Sequence, residues 1–310
     1  MKIAHISDLH LNTFYRDSNL REIKSLLSYC LEIGVNHLTI TGDLTDNSCE
    51  DDLRILRKTL ISFGFDTDEK LSVIVGNHDI YGGVQKAEDI FNFPDRCRKT
   101  NYYEKIKSFN SIFDFTFENC VYRSEDLFYP YAKIINDVLI TGINSNAEYS
   151  PLSNPFASNG EVSEQQQSEI IKILSRYGST VKHRIILIHH HFNKIKSLNN
   201  FSSAGLWQNI EKQTMKLRKK KKLLKIFNYF NVDLVLHGHL HDTETYQKSG
   251  IIFYNAGGSV KSVNTKKLKF NLVNIDSDGI KVELIKLPRN YGTEINKMKK
   301  KEVEIEMDAA

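Results

Sequence analysis

The sequence predicts an α/β protein built on parallel strands, and three observations carry that prediction. Short apolar runs alternate with helical stretches between residues 2 and 75. Within the helical stretches the apolar residues recur at intervals of three and four, as on one face of a helix. Each apolar run then closes on a polar cluster holding Gly, Asp, Asn or His, where a strand passes into a loop. At 310 residues, 40% of them hydrophobic, the chain can bury a sizeable core in one large domain or two small ones.

Taken in order, residues 2–7 read as a strand, and Leu20, Ile23, Leu26, Leu27 and Leu31 mark a helix that Gly34 stops. His37 to Thr41 is a second strand, closed by Gly42-Asp43. Asp51 to Phe63 is a helix, with Gly64 behind it, and Leu71 to Val75 is a third strand, closed by Gly76-Asn77-His78-Asp79. Residues 85–117, rich in aromatics and charges, read as short helices. Val138 to Ile143 is a strand and Ser145 to Gly160 a loop. Ser163 followed by Gln166 has the form of a capping box, opening a helix to about Tyr177. Arg184 to Ile188 is a strand ending in three histidines. An amphipathic helix is predicted from about Trp207 to Phe230. Asp233 to Leu236 is a strand running into His237-Gly238-His239-Leu240-His241, and strands at 251–254, 269–275 and 280–287 follow. The domain reading is one unit over 1–290, with a helical insert at about 192–232, and a charged tail over 291–310.

Composition excludes several classes. No apolar run approaches the ~18–20 residues that span a bilayer. The pair Asp8/His10 falls where the apolar region of a signal peptide would lie, so the chain is read as cytoplasmic. The four cysteines, Cys30, Cys49, Cys97 and Cys120, form no CxxC and read as thiols. A net charge of +4 does not by itself call for nucleic acid. The run Lys219 to Lys222 and the cluster Lys297 to Lys301 concentrate positive charge locally. Nothing in the composition speaks to oligomeric state.

The chemistry lies at the strand ends. Asp8 and His10 follow the first strand, Asp43 the second, Asn77 and His78 the third. His189 and His190 follow the strand at 184–188, and His239 and His241 the strand at 233–236. Singly, each has a plainer reading as a cap, a turn or a surface pair. In an open α/β sheet, however, groups beyond the carboxyl ends of the strands share one crevice. Carboxylate, imidazole and one amide together suit Zn, Mn or Fe better than Ca or an iron–sulfur cluster.

The blocks Asp8-Leu9-His10, Gly42-Asp43, Gly76-Asn77-His78-Asp79, His189 and Gly238-His239-Leu240-His241 together resemble the signature of calcineurin-like metallophosphoesterases. The stretch Thr39 to Asn47 looks most like the branch of class III cyclic-nucleotide phosphodiesterases and glycerophosphodiesterases. The resemblance implies a two-layer mixed β-sheet sandwich flanked by helices, with a dinuclear metal centre on one edge. It implies two divalent ions (Mn, Fe or Zn). Asp8, His10, Asp43 and His241 would hold the first, and Asp43, Asn77, His189 and His239 the second, with Asp43 bridging. His78 is then the catalytic group that donates a proton or stabilises charge, and Asp79 the carboxylate that orients its ring. A carboxylate has two oxygens with which to span two cations ~3.5–4 Å apart, and a bridging water would ionise near neutral pH.

The chain departs from the family pattern in two places. No proline follows the histidine run, so His189 is preferred as ligand with His190 second, and His191 reads as a supporting or exposed residue. After His241 stands Asp242, where the family often has Arg. His5 and His237 read as core or supporting histidines, and His37 and His183 need no functional role. Asn12 reads as a loop residue or a phosphate contact, and Tyr254 to Ser259 as a turn near the site.

The expected function is a phosphodiesterase in which a metal-bridging hydroxide attacks a small nucleotide or similar diester. The alternatives are a DNA or RNA nuclease, for which Lys219 to Lys222 would form a basic rim, and a lipid-linked UDP-sugar pyrophosphate hydrolase with an apolar cap. The non-enzyme alternative is a metal-binding scaffold.

Overall fold

Twelve strands and seven helices are assigned in a computed structural model that describes residues 1–84, 89–193, 215–260, 267–289 and 291. The first half runs β1 (Lys2–Ile6), α1 (Arg16–Glu32), β2 (His37–Thr41), α2 (Glu50–Ser62), β3 (Leu71–Ile74), α3 (Asn77–Tyr81), α4 (Asp89–Lys99) and α5 (Tyr102–Ile112). Then come β4 (Tyr122–Ser124), β5 (Phe128–Ile135), β6 (Val138–Ile143), α6 (Glu164–Tyr177) and β7 (His183–Ile188). The chain ends with α7 (Lys220–Tyr229), β8 (Leu234–His237), β9 (Glu244–Lys248), β10 (Ile251–Asn255), β11 (Lys267–Asp276) and β12 (Gly279–Pro288).

The strands form two mixed sheets, ordered β12-β11-β1-β2-β3 and β4-β5-β6-β7-β8-β10-β9. β1, β2 and β3 are parallel, joined by α1 and α2 as crossovers, and β11 pairs antiparallel to β1. In the second sheet β6, β7, β8 and β10 are parallel. The central strands of the second sheet, β6, β7 and β8, are buried on both faces. Ile185 and Leu187 pack into the core shared with the first sheet, while Ile186 and Ile188 pack against α6 and α7. This is the period-two alternation of a strand covered on both sides, and it explains why Arg184 to Ile188 reads as a continuous apolar run. The two-layer architecture expected from the motif set is therefore present.

One helix and three strands differ from the expectation. The helix predicted from about Trp207 begins at Lys220 among the described residues; positions 207–214 lie outside them. Leu217 is not on that helix but in a bridge to Gly160, with Gly160 N donating to Lys216 O at 2.9 Å and Arg218 N to Gly160 O at 2.7 Å. Backbone pairing at Gly160 overrode the helical spacing of Leu217 with Leu224. The strands β4, β5 and β9 were not expected. β5 holds Pro130 and Lys133, and the Lys133 ammonium is buried, donating to Asp68 O and Leu71 O at 3.1 and 2.7 Å. A charged residue that finds carbonyl partners inside the core breaks the sequence pattern without breaking the strand. β9 is a polar edge strand. Most of the insert (194–214) and of the charged tail (292–310, with Lys297 to Lys301) lies outside the described residues. Among the described residues no helix is long and apolar enough to cross a membrane. All four cysteines are unpaired.

Candidate metal centre

Asp8, His10, Asp43 and His239 all have left-handed backbone conformations, with φ of 53°, 46°, 52° and 72°. Such torsions are uncommon outside glycine and cost of order 1–3 kcal/mol each. The chain turns back just beyond the ends of β1, β2 and β8, and the side chains converge in the crevice beyond the strands. The turn at Tyr254 to Ser259 supports two of these loops. Ser259 Oγ accepts from Ser7 N at 3.1 Å, and Gly258 N donates to His241 O at 3.2 Å.

Two groups of donors result. In one, His10 Nε2 lies 3.0 Å from His241 Nε2, with Asp8 alongside. In the other, His189 Nε2 lies 3.1 Å from His239 Nδ1, 3.1 Å from Asn77 Oδ1 and 3.4 Å from Asp43 Oδ2. Asp43 joins the groups, because the same Oδ2 is 3.9 Å from His10 Nε2. The bridging geometry differs from the sequence expectation in one respect. A single oxygen faces both groups, while Oδ1 accepts from His78 N at 2.8 Å.

The donor chemistry fits cations. His189 Nδ1 faces the carbonyl of Thr41 at 2.8 Å, which can only accept, so Nδ1 carries the proton. A neutral ring then directs the Nε2 lone pair at two further acceptors, Asn77 Oδ1 and Asp43 Oδ2. Lone pairs aimed at one another need a positive charge among them. Ligands at about 2.1 Å from a common ion lie about 3.0–3.4 Å apart at octahedral to tetrahedral angles, the range of the His10–His241 pair and of the three contacts of His189 Nε2; the Asp43–His10 pair is wider, at 3.9 Å.

The same contacts shift the titration of these groups. Burial works against charge on His189, yet the Asp43 carboxylate prevails and pushes it up to about 9. Burial likewise opposes His78, which Asp43 and Asp46 push up to about 9. Burial pushes Asp8 up to about 7 against the pull of His189. For Asp43, burial is outweighed by His189 and His78, which hold its carboxyl well below the usual range.

The histidine register follows from partners. Both ring nitrogens of His190 point elsewhere, Nδ1 to Ser145 Oγ at 2.8 Å and Nε2 to Ser158 O at 3.2 Å, so it is His189 that meets Asp43. His191 is buried rather than exposed, its ring stacked on that of His239. His5 and His237 are buried, bonded to Thr41 Oγ1 and Tyr246 OH, and His37 sits between Glu69 O and Ser72 Oγ.

Asp79 does not take the place expected for it. Its carboxylate accepts from Gly76 N and Thr45 N, both at 2.9 Å, and so fastens the turn that carries Asn77. The carboxylate facing His78 is that of Asp46, whose Oδ1 lies 3.3 Å from His78 Nδ1 and 3.1 Å from His10 Nδ1. Asp46 is the functional residue that sequence reasoning missed. No local pattern distinguished it from Asp79, because the left-handed turn at Asp43 decides its aim. Asn12 is drawn to the same group, its Nδ2 donating to Asp46 Oδ2 at 3.0 Å.

The crevice leaves no room at Gly76. A Cβ there would lie 2.2 Å from both the backbone nitrogen and Oδ1 of Asp43. Gly76→Ala is expected to displace Asp43, to lower bound metal and to destabilise the fold by about 1–3 kcal/mol. Metal content and thermal melting of the variant, with and without chelator, check this.

Residues 1–243 match the family model described as calcineurin-like phosphoesterase. A probable cyclic nucleotide phosphodiesterase of Coxiella burnetii is 25% identical over 289 residues, covering 91% of each chain. Among solved structures, a dimetal phosphatase from Danio rerio superposes with a TM-score of 0.57 at 13% identity, over 93% of this chain and 99% of that one. A purple acid phosphatase from yellow lupin (Lupinus luteus) gives 0.57 at 14% identity, over 92% of this chain and 51% of that one. The two structures share the fold.

Proposed function

The chain belongs to the calcineurin-like phosphoesterase family, and from that premise we propose that it is a dinuclear metal-dependent phosphodiesterase acting on a small nucleotide or similar diester. One observation carries the reading. Asp43 Oδ2 faces His10 Nε2 at 3.9 Å and His189 Nε2 at 3.4 Å, so one carboxylate oxygen serves two groups of donors. His78 adjoins them and is partly open to solvent, its side chain 20% exposed. The preference for a diester is supported by the Coxiella relative, named a probable cyclic nucleotide phosphodiesterase.

Asp8, His10, Asp43 and His241 would hold one divalent ion, and Asp43, Asn77, His189 and His239 the other. Ions bound there supply a water ionised near neutral pH and positive charge for the phosphate oxygens. The protein does the rest. Asp46 keeps the proton on His10 Nδ1, which turns the Nε2 lone pair into the crevice, and it holds the ring of His78 in the same way. His78 Nε2 then gives its proton to the departing alkoxide. Asp79 acts indirectly, by fixing the turn that presents Asn77 and His78.

The test is turnover of bis-p-nitrophenyl phosphate by protein loaded with Mn²⁺. A panel of cyclic nucleotides, glycerophosphodiesters, DNA and UDP-linked lipids follows. Turnover of the diester that chelator abolishes is the expected result; a metal-loaded protein inert on every diester would return the scaffold reading.

For the nuclease alternative, two of the four lysines in the run Lys219 to Lys222 are ion-paired. Lys219 Nζ lies 2.6 Å from Glu161 Oε1, and Lys222 Nζ 3.3 Å from Glu164 Oε1. The quadruple Lys219–Lys222→Gln variant is expected to change kcat/KM on DNA and on nucleotides by less than about twofold at low salt, since paired surface charges contribute little. A large, salt-sensitive loss confined to DNA would instead favour the nuclease.

A further inference from the structure

The loop that leads from His10 to α1 exposes two large aromatic side chains. Phe14 is 81% and Tyr15 71% exposed. Single exposed aromatics are common on protein surfaces. Here two occur in succession, on a segment held at nearly every residue. Leu11 bridges to Thr45. Phe14 N donates to Asn12 Oδ1 at 2.9 Å, and Tyr15 N to Asn12 O at 3.0 Å. Thr13 Oγ1 and Arg16 Nε donate at 3.0 and 2.7 Å to the two carboxylate oxygens of Asp52, which is fully buried.

The loop is also tied to the reacting end of the site. Asn12 Nδ2 donates to Asp46 Oδ2, and Asp46 Oδ1 faces His78. The segment that carries Phe14 is thus joined through two side chains, Asn12 and Asp46, to His78. A loop fixed in this way presents its rings with little conformational entropy left to lose on binding. Exposed aromatic faces on a loop rooted at a phosphate-binding site suit a planar π-system carried by the substrate.

We infer that Phe14 and Tyr15 form a stacking platform that determines specificity, gripping a planar aromatic group of the nucleobase class while the phosphate lies at the metal centre. This rests on the phosphodiesterase reading and names the class of diester that the site selects. No proton or bond changes at these residues; they act on binding.

The test compares native protein, Phe14→Ala/Tyr15→Ala and Phe14→Trp/Tyr15→Phe, all loaded with Mn²⁺. The first readout is calorimetric binding of adenosine 5′-monophosphate. The second is turnover of a cyclic nucleotide against glycerophosphoethanolamine, which has no ring. Loss of base stacking commonly weakens binding by roughly 5- to 100-fold. The double Ala variant should lose about that much affinity for the nucleotide and raise KM on the cyclic nucleotide with kcat nearly unchanged. On glycerophosphoethanolamine it should change less than about twofold, and the Trp/Phe variant should retain nucleotide affinity. Equal nucleotide affinity in native and Ala proteins, absence of nucleotide binding by native protein, or equal losses on both substrates would overturn the inference. Native protein that turns over no diester but binds the nucleotide through these rings would defeat the phosphodiesterase reading and leave the platform standing.

Discussion

Asp43→Ala is expected to hold little of either metal and to lose activity by about 10⁴-fold or more, because groups that act as one unit fail together. The geometry explains why this single change should have the largest effect. Asp43 Oδ2 is shared by both groups of donors, at 3.9 Å from His10 Nε2 and 3.4 Å from His189 Nε2. Asp43 Oδ1 receives the amide of His78 at 2.8 Å, so the same side chain also positions the residue proposed as proton donor. Asp43→Asn separates charge from fold. Asn tolerates the left-handed torsion of 52° at this position, and the variant should remain folded while binding metal poorly. Metal analysis checks both proteins, and two tightly held ions in either would defeat the bridging assignment. Loss of one donor on either side should be milder. His241→Ala should weaken the ion beside His10, and His239→Ala the ion beside His189.

His78→Ala is expected to keep both metals and to lose turnover by roughly 10²–10⁴-fold, the usual size of an acid–base contribution. The reason lies in its partners. His78 offers its backbone to Asp43 but directs ring Nδ1 at Asp46, 3.3 Å away, and it belongs to neither group of donors around Asp43 Oδ2. Its loss should therefore depend on the leaving group. On p-nitrophenyl esters, whose leaving group departs without a proton, the deficit should shrink; on alkyl diesters it should be full. An equal deficit on both would mean that the ring positions the phosphate instead. Removing Asp46 should reproduce part of this dependence, whereas Asp79→Asn should act mainly through stability and metal affinity, since its bonds go to Gly76 and Thr45.

Much of this site was legible before any coordinates. Asp8, His10, Asp43, Asn77, His189, His239 and His241 each stand just beyond an apolar run, and all of these runs are strands. A strand announces itself by local composition, and the polar residue that ends it is adjacent in sequence, so strand-end ligands can be read from the chain alone. The capping box at Ser163 is local too, and Ser163 Oγ does accept from Gln166 N at 3.1 Å. The crossover order β1-α1-β2-α2-β3 follows from the alternation of patterns and from the short reach of loops.

Other features depended on which residues meet across long separations. Nothing adjacent to His190 reveals that Ser145 and Ser158 occupy both its ring nitrogens, 45 and 32 residues away. Nothing near Asp79 or Asp46 reveals which carboxylate faces His78, because a left-handed turn at Asp43 decides how the following residues are aimed. Leu217 pairs with Gly160 and not with its neighbours, and the buried Lys133 lies in a strand because the carbonyls of Asp68 and Leu71 receive it. The sequence by itself determined the class of fold and the candidate donor residues that follow strands, because each such strand and the polar residue that ends it are adjacent in the chain. Only the tertiary structure decided which histidine nitrogen, which carboxylate and which oxygen of Asp43 face the crevice, because hydrogen bonds between distant segments choose among side chains that local pattern leaves equivalent.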